Sequence, residues 1–127
     1  MTDQQKLTYE RIYDYLKGQG GFISVTELAS YIGVPERAMR NDGTTPGILE
    51  LASLYVLSMY GFTIIRSMNP AGIKMTNNVE EIRAVVKQWA AFRDSIDRQV
   101  KRYDGDIAYF ERTAAERKQL SLQLEVG

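Results

Sequence analysis

Tyr9, Ile12, Tyr13 and Leu16 recur at the i, i+3, i+4, i+7 spacing of one helical face, which predicts an amphipathic helix over 3–17. Gly18, Gly20 and Gly21 end it, and Phe22 and Ile23 fit a short strand. Ser24 and Glu27 then stand in the S-x-x-E relation of a capping box, opening a second helix over 24–32 with Leu28 and Ile32 on one face. Gly33 permits a sharp reversal, and Pro35 suits the first turn of a third, short helix over 35–41. Asp42 to Gly47 interrupts the helical pattern. Thr45 is the expected N-cap of a fourth helix over 46–60, with Pro46 at its first position. That helix carries one charge, Glu50, so it is expected to be buried on more than one side. Gly61 closes it. Thr63–Ser67 and Ile73–Thr76 read as two strands around the turn residues Asn69-Pro70-Ala71-Gly72.

From Val79 the period changes. Ile82, Val85, Trp89, Phe92, Ile96, Val100, Tyr103, Ile107 and Phe110 are spaced three and four apart, with one stutter between Ile96 and Val100. This is a coiled-coil seam, and it predicts a long C-terminal helix that self-associates. Gly105, between Asp104 and Asp106, costs about 1 kcal/mol against alanine and marks the expected place of a kink or hairpin. After Lys118 no pattern remains, and the end is expected to fray. The chain thus divides into residues 1–77 and residues 78–127.

Composition narrows the function. The 127 residues contain no cysteine and no histidine, which removes disulfides, thiolate chemistry, the commonest general base and the commonest metal ligand. Asp104 and Asp106 lack the further oxygen ligands of a calcium loop, and Glu80 and Glu81 are first-turn acids facing a helix dipole. No catalytic constellation, cofactor or metal is expected. No apolar run reaches the ~20 residues of a membrane span, and the charged N-terminus is unlike a signal peptide, so a cytoplasmic protein without enzymatic activity is expected. Sixteen basic residues balance sixteen acidic ones, and residues 1–76 alone carry seven of each. A typical DNA-binding domain has a basic excess, because phosphate contacts supply much of the affinity.

Against that balance stands the segment SVTELASYIGVPERAMRND at 24–42. Its helix, turn and short helix resemble the recognition unit of bacterial and phage winged helix-turn-helix regulators. V-P-E-R-A-M-R-N-D is similar to the V-S-x-R-x-V-R-x-D pattern that opens their recognition helix. In YGFTIIRSMNPAGIKMTNNVEEI at 60–82, Gly61, Phe62, Ile64, Ser67, Gly72, Met75, Glu80 and Glu81 match the wing and following helix start of small phage-encoded relatives. The resemblance covers roughly residues 20–102 and implies a mainly α fold, a winged helix-turn-helix domain followed by a long helix. It departs from the family at Gly43, where an aliphatic residue is expected, and in some ten extra residues from Thr44 to Ser53. A second registration places 46–60 in the third-helix position, which then presents no basic side chain.

The resemblance implies duplex DNA as a partner, bound by a dimeric regulator or replication accessory factor of phage or mobile-element origin. Arg37, Arg40 and Asn41 are the candidate base and phosphate contacts, since arginine pairs with guanine edges and asparagine with adenine. Arg66 and Lys74 flank the wing turn as candidate phosphate contacts. The plainer reading of the same side chains is a solvated face pairing with Glu36 and Asp42. A second function class is a protein-binding scaffold, such as an inhibitor of a host complex. For that reading Leu49, Val56 and Leu57 are the candidate partner-facing residues, lying off the Ile48–Ala52–Tyr55 stripe.

Overall fold

The structure is a computed structural model that describes residues 1–126. Helices account for 69% of the residues, so the chain is mainly α with one small sheet. The elements in order are α1 (Asp3–Lys17), α2 (Val25–Ile32), α3 (Glu36–Met39), α4 (Ile48–Tyr60), β1 (Thr63–Met68), β2 (Ala71–Thr76) and α5 (Val79–Val126). They form two compact units, Met1–Gln88 and Trp89–Gly127.

In the first unit the expected apolar faces come together. Tyr9, Ile12 and Leu16 of α1 join Val25, Leu28, Ala29 and Ile32 of α2, Met39 of α3, and Ala52, Tyr55 and Val56 of α4 in one core. Ile73 of β2 completes it. The strands pair antiparallel with Thr63 opposite Thr76 and Met68 opposite Ala71. Ile23 adds a single bridge to Ile73, with N–H···O distances of 3.0 and 2.8 Å, so the short strand foreseen at 22–23 is one residue long.

The caps show how sequence becomes geometry. Ser24 Oγ accepts the Glu27 N–H at 3.0 Å, which is one half of the foreseen box. The full reciprocal box lies earlier, at α1. Thr2 Oγ1 accepts from Gln5 N at 3.1 Å, and Gln5 Oε1 accepts from Thr2 N at 2.8 Å. Gly33 ends α2 in the left-handed region at φ 77°, where its amide closes onto the carbonyls of Ala29 and Ser30.

Three element expectations are corrected. The third helix is a single turn, Glu36–Met39, because Arg40 is already extended at φ −99°, ψ 154°. The fourth helix begins at Ile48 with Gly47 as its N-cap, not at Pro46 with Thr45. Thr45 is instead bonded to Asp42 in both directions, N–H to carbonyl, at 2.9 and 2.8 Å. This closed loop folds Gly47 against the end of α3. A Cβ at Gly47 would lie 2.3 Å from the Arg40 carbonyl oxygen, so only glycine fits there. Finally, α5 runs through Gly105 without a break and continues past Lys118. One glycine costs too little to interrupt a helix of this length. Asn78 starts α5 by accepting the Glu80 N–H at 2.9 Å on Oδ1.

The apolar fourth helix explains a further correction. Val56 is completely buried, so it cannot face a partner. It lies four residues after Ala52, on the same face, and that face is wider than the Ile48–Ala52–Tyr55 stripe suggests. Leu49 is half-buried and packs on the same core. Leu57 is 53% exposed, and Leu54, three residues before it, is 61% exposed.

Candidate nucleic-acid interface

The end of α3 and the β1–β2 hairpin bring distant basic residues together. Arg37, Arg40 and Asn41 line one recess with Glu36, Asp42 and Thr45. Arg40 and Asn41 also line a second recess of about 300 Å³, whose far wall includes Arg66 of β1 and Glu50 of α4. Two segments separated by some 25 residues therefore share one surface. β1 and α4 fix its position. Ser53 Oγ of α4 accepts the Ile64 N–H at 3.0 Å and lies 3.1 Å from Thr63 Oγ1.

The electrostatics of this surface are mixed. Arg40 Nη2 pairs with the Glu36 carboxylate, while Thr26 Oγ1 donates to the other Glu36 oxygen at 2.8 Å. Asn41 is built into the loop. Its Oδ1 accepts the Gly47 N–H at 2.8 Å and so holds the entry to α4. Reading adenine would call on the same oxygen as an acceptor, so the structural bond competes with that role. Arg37 sits in the exposed last turn of α3.

Lys74 stands apart from this group. It is the register partner of Ile65, whereas Arg66 is the partner of Ile73, so the two basic residues point to opposite faces of the hairpin. Lys74 Nζ lies 3.1 Å from both carboxylate oxygens of Glu81 and 5.8 Å from the centre of the Phe22 ring. The Glu81 carboxyl is held below its ordinary pKa, first by the Lys74 contact and then by Thr76. The same face of the hairpin meets the first turns of α5. Gln88 Oε1 accepts from Met68 N at 3.0 Å and Ser67 Oγ at 3.2 Å, and its Nε2 donates to the Asn69 carbonyl at 3.0 Å. Val85 is buried in this unit, which removes it from the expected self-association seam. Ile82 beside it is half-buried.

The rest of the seam is exposed. Trp89 is 38% accessible, Phe92 47%, Ile96 41%, Val100 51%, Tyr103 50%, Ile107 54% and Phe110 68%. Ring contacts along it are local, as between Trp89 and Phe92, whose centres are 6.0 Å apart edge to face.

A second polar cluster was not legible in the pattern. Glu10 of α1 accepts two phenolic hydrogen bonds from α4, from Tyr55 and from Tyr60, each at 2.5 Å. The Tyr13 and Tyr60 rings stack beside it at 3.8 Å. These bonds hold the Glu10 carboxyl below its ordinary pKa and raise both phenols, Tyr60 to about 12. No signal in the sequence pairs residue 10 with residues 45 and 50 positions later. The Thr2-x-x-Gln5 box, by contrast, was available to a capping-box search.

No group of acids that could hold a metal ion occurs among the described residues, and no described helix is long and apolar enough to cross a membrane. Comparison with known proteins yields no matching family model, curated protein or solved structure. The site has to be judged by its own geometry.

Proposed function

We propose that residues 1–88 form a winged helix-turn-helix module that binds duplex DNA, and that the chain does so as a self-associated, non-catalytic cytoplasmic protein. α2 and α3 are the helix-turn-helix in this reading, the β1–β2 hairpin is the wing, and α5 carries the contact between copies. The observation behind it is that Arg40 lines one recess with Arg37 and a second with Arg66, which comes from a separate segment. A helix end and a wing that both offer arginine fit a groove and its flanking phosphates. A regulator or a replication accessory factor of a phage or mobile element is the role that suits such a module.

Fluorescence anisotropy with duplex DNA across a salt series tests the proposal. Affinity should fall steeply as salt rises. Arg37→Ala and Arg66→Ala should each weaken binding, by about 1–3 kcal/mol where the arginine reads a base edge. Lys74→Ala should leave affinity unchanged, because Lys74 faces the other side of the hairpin. No binding at low salt would end the DNA reading.

One observation favours a second reading, a scaffold that binds another protein. Leu54 and Leu57 are both more than half exposed on one side of α4, in a module without basic excess. Such a pair fits the centre of a small apolar contact. Loss of a protein partner on Leu57→Glu, with DNA binding absent in the native chain, would support it.

A further inference from the structure

The seam of α5 reads the same in both chain directions around its middle, as a 4-3-4 run of apolar positions does. Within the second unit the apolar positions mirror one another about the peptide bond joining Lys101 and Arg102. Val100 answers Tyr103, Ile96 answers Ile107, and Trp89 answers Ala114. Phe92 falls within one residue of answering Phe110. The span from Trp89 to Ala114 is about 39 Å long at ~1.5 Å per residue, enough helix to support a coiled-coil contact. We propose that this helix pairs antiparallel with a second copy of the chain, centred between Lys101 and Arg102. The inference rests on the self-association in the function proposed above and gives it an orientation.

Packing supports this direction. In an antiparallel pair Ile96 forms a layer with the partner's Ile107, and the bulky Trp89 lies over the partner's Ala114. A parallel pair in register sets Trp89 on Trp89 and Ala114 on Ala114, overfilling one layer and leaving a gap in the other. The four-residue step from Ile96 to Val100 also finds a match. It faces the equal step from Tyr103 to Ile107 in the partner, so these central layers stay level, and the stutter falls one step outward, where Phe92 and Phe110 are a residue out of line.

Charge supports it too. Arg93 and Glu111 lie on the same flank of the seam, each about 60° from its centre at ~100° per residue. Like flanks meet in an antiparallel pair, so Arg93 comes beside the partner's Glu111, twice by symmetry. Opposite flanks meet in a parallel pair. Asp106, five residues before Glu111, would then face the partner's Glu111, again twice. The antiparallel pair also draws Asp97 toward the partner's Asp104. Asp97, however, lies about 100° from the seam centre, where its carboxylate reaches water.

The native chain has no cysteine, so single labels can be placed on the full-length protein. Ala91→Cys and Ala115→Cys sit on exposed positions of α5. Distances between copies are read by resonance energy transfer in dimers labelled at Ala91 on one chain and at Ala115 on the other. In the antiparallel pair this mixed distance is short, about 5 Å of axial offset, and the 91-to-91 distance is longer by about 30 Å along the axis. The reverse order overturns the orientation and leaves self-association standing. A chain that sediments as a monomer to ~100 μM, a generous ceiling for a helix of this length, overturns both. DNA affinity is measured separately and bears on neither. Glu111→Lys gives an independent sign. It weakens an antiparallel dimer about three- to tenfold, with recovery on adding Arg93→Glu, and tightens a parallel one by relieving the contact with Asp106.

Discussion

Position 56 shows how little separates a core residue from a surface one on an apolar helix. Val56 is fully buried, and Leu57, one residue on and about 100° around the helix, is half exposed. A carboxylate at each should therefore act differently. Val56→Glu buries a charge without a partner, which costs about 3–5 kcal/mol, a large share of the stability of a small domain. Circular dichroism should show it unfolded or strongly destabilised. Leu57→Glu should keep its helical signal and its melting temperature within a few degrees. A folded Val56→Glu variant with native stability would show the α4 packing to be wrong. Asn41 carries a similar lesson. A residue type that recognises bases can be engaged in holding a loop, here through the Gly47 amide.

Between elements, the contact of α1 with α4 responds to pH on both the acid and the alkaline side, and the Lys74–Glu81 contact responds on the acid side. Glu10 is charged and bonded to two phenols in the fold, and its pKa is lowered first by Tyr55 and then by Tyr60. A lowered carboxyl stabilises fully above its unfolded pKa, and the gain is lost as pH falls through the folded value. Stability should accordingly decline on the acid side of about pH 4.5. Tyr60 behaves in the opposite direction. Its pKa rises from 10.0 to about 12, so its contribution is complete below pH 10 and is lost between pH 10 and about 12. Melting temperature measured against pH should show both limbs, and Glu10→Gln should shrink both, leaving on the acid side the part that belongs to Glu81 and on the alkaline side the part that belongs to Tyr15. Ultraviolet titration of the tyrosines should find Tyr15, Tyr55 and Tyr60 late in the native chain, and only Tyr15, raised by burial and Glu27, still late in the variant. Two limbs unchanged by Glu10→Gln would place the pH response elsewhere.

For the whole molecule, the boundary of the first unit lies at Gln88, eleven residues beyond the limit suggested by the change of hydrophobic period. Val85 fills the space under the hairpin, and Gln88 ties its turn through three hydrogen bonds. A chain ending at Gln88 should fold cooperatively and remain monomeric. One ending at Thr76 should lose stability, because it exposes Ile65 and leaves Lys74 without the Glu81 carboxylate. Denaturant unfolding and light scattering distinguish the two. A monomeric full-length chain in the same measurements would remove the seam from the self-association account.

The sequence by itself determined those features that depend on local chemistry. The order of helices and strands, the Gly33 reversal and the hairpin all follow from period, capping and turn residues within a few positions of one another. So does the exposed seam from Trp89 onward, since a single amphipathic helix displays its stripe whatever surrounds it. Tertiary structure alone decided which parts of α3 and α4 are helical, because the loop from Arg40 to Gly47 is set by close backbone contact with Met39 and Arg40. It also decided which apolar face of α4 is interior, and that Arg66 joins Arg40 while Lys74 turns away to Glu81. These are contacts between residues far apart in the chain. Local propensity carries no information about them, and only the packing of α1, α4, α5 and the hairpin fixes the distances.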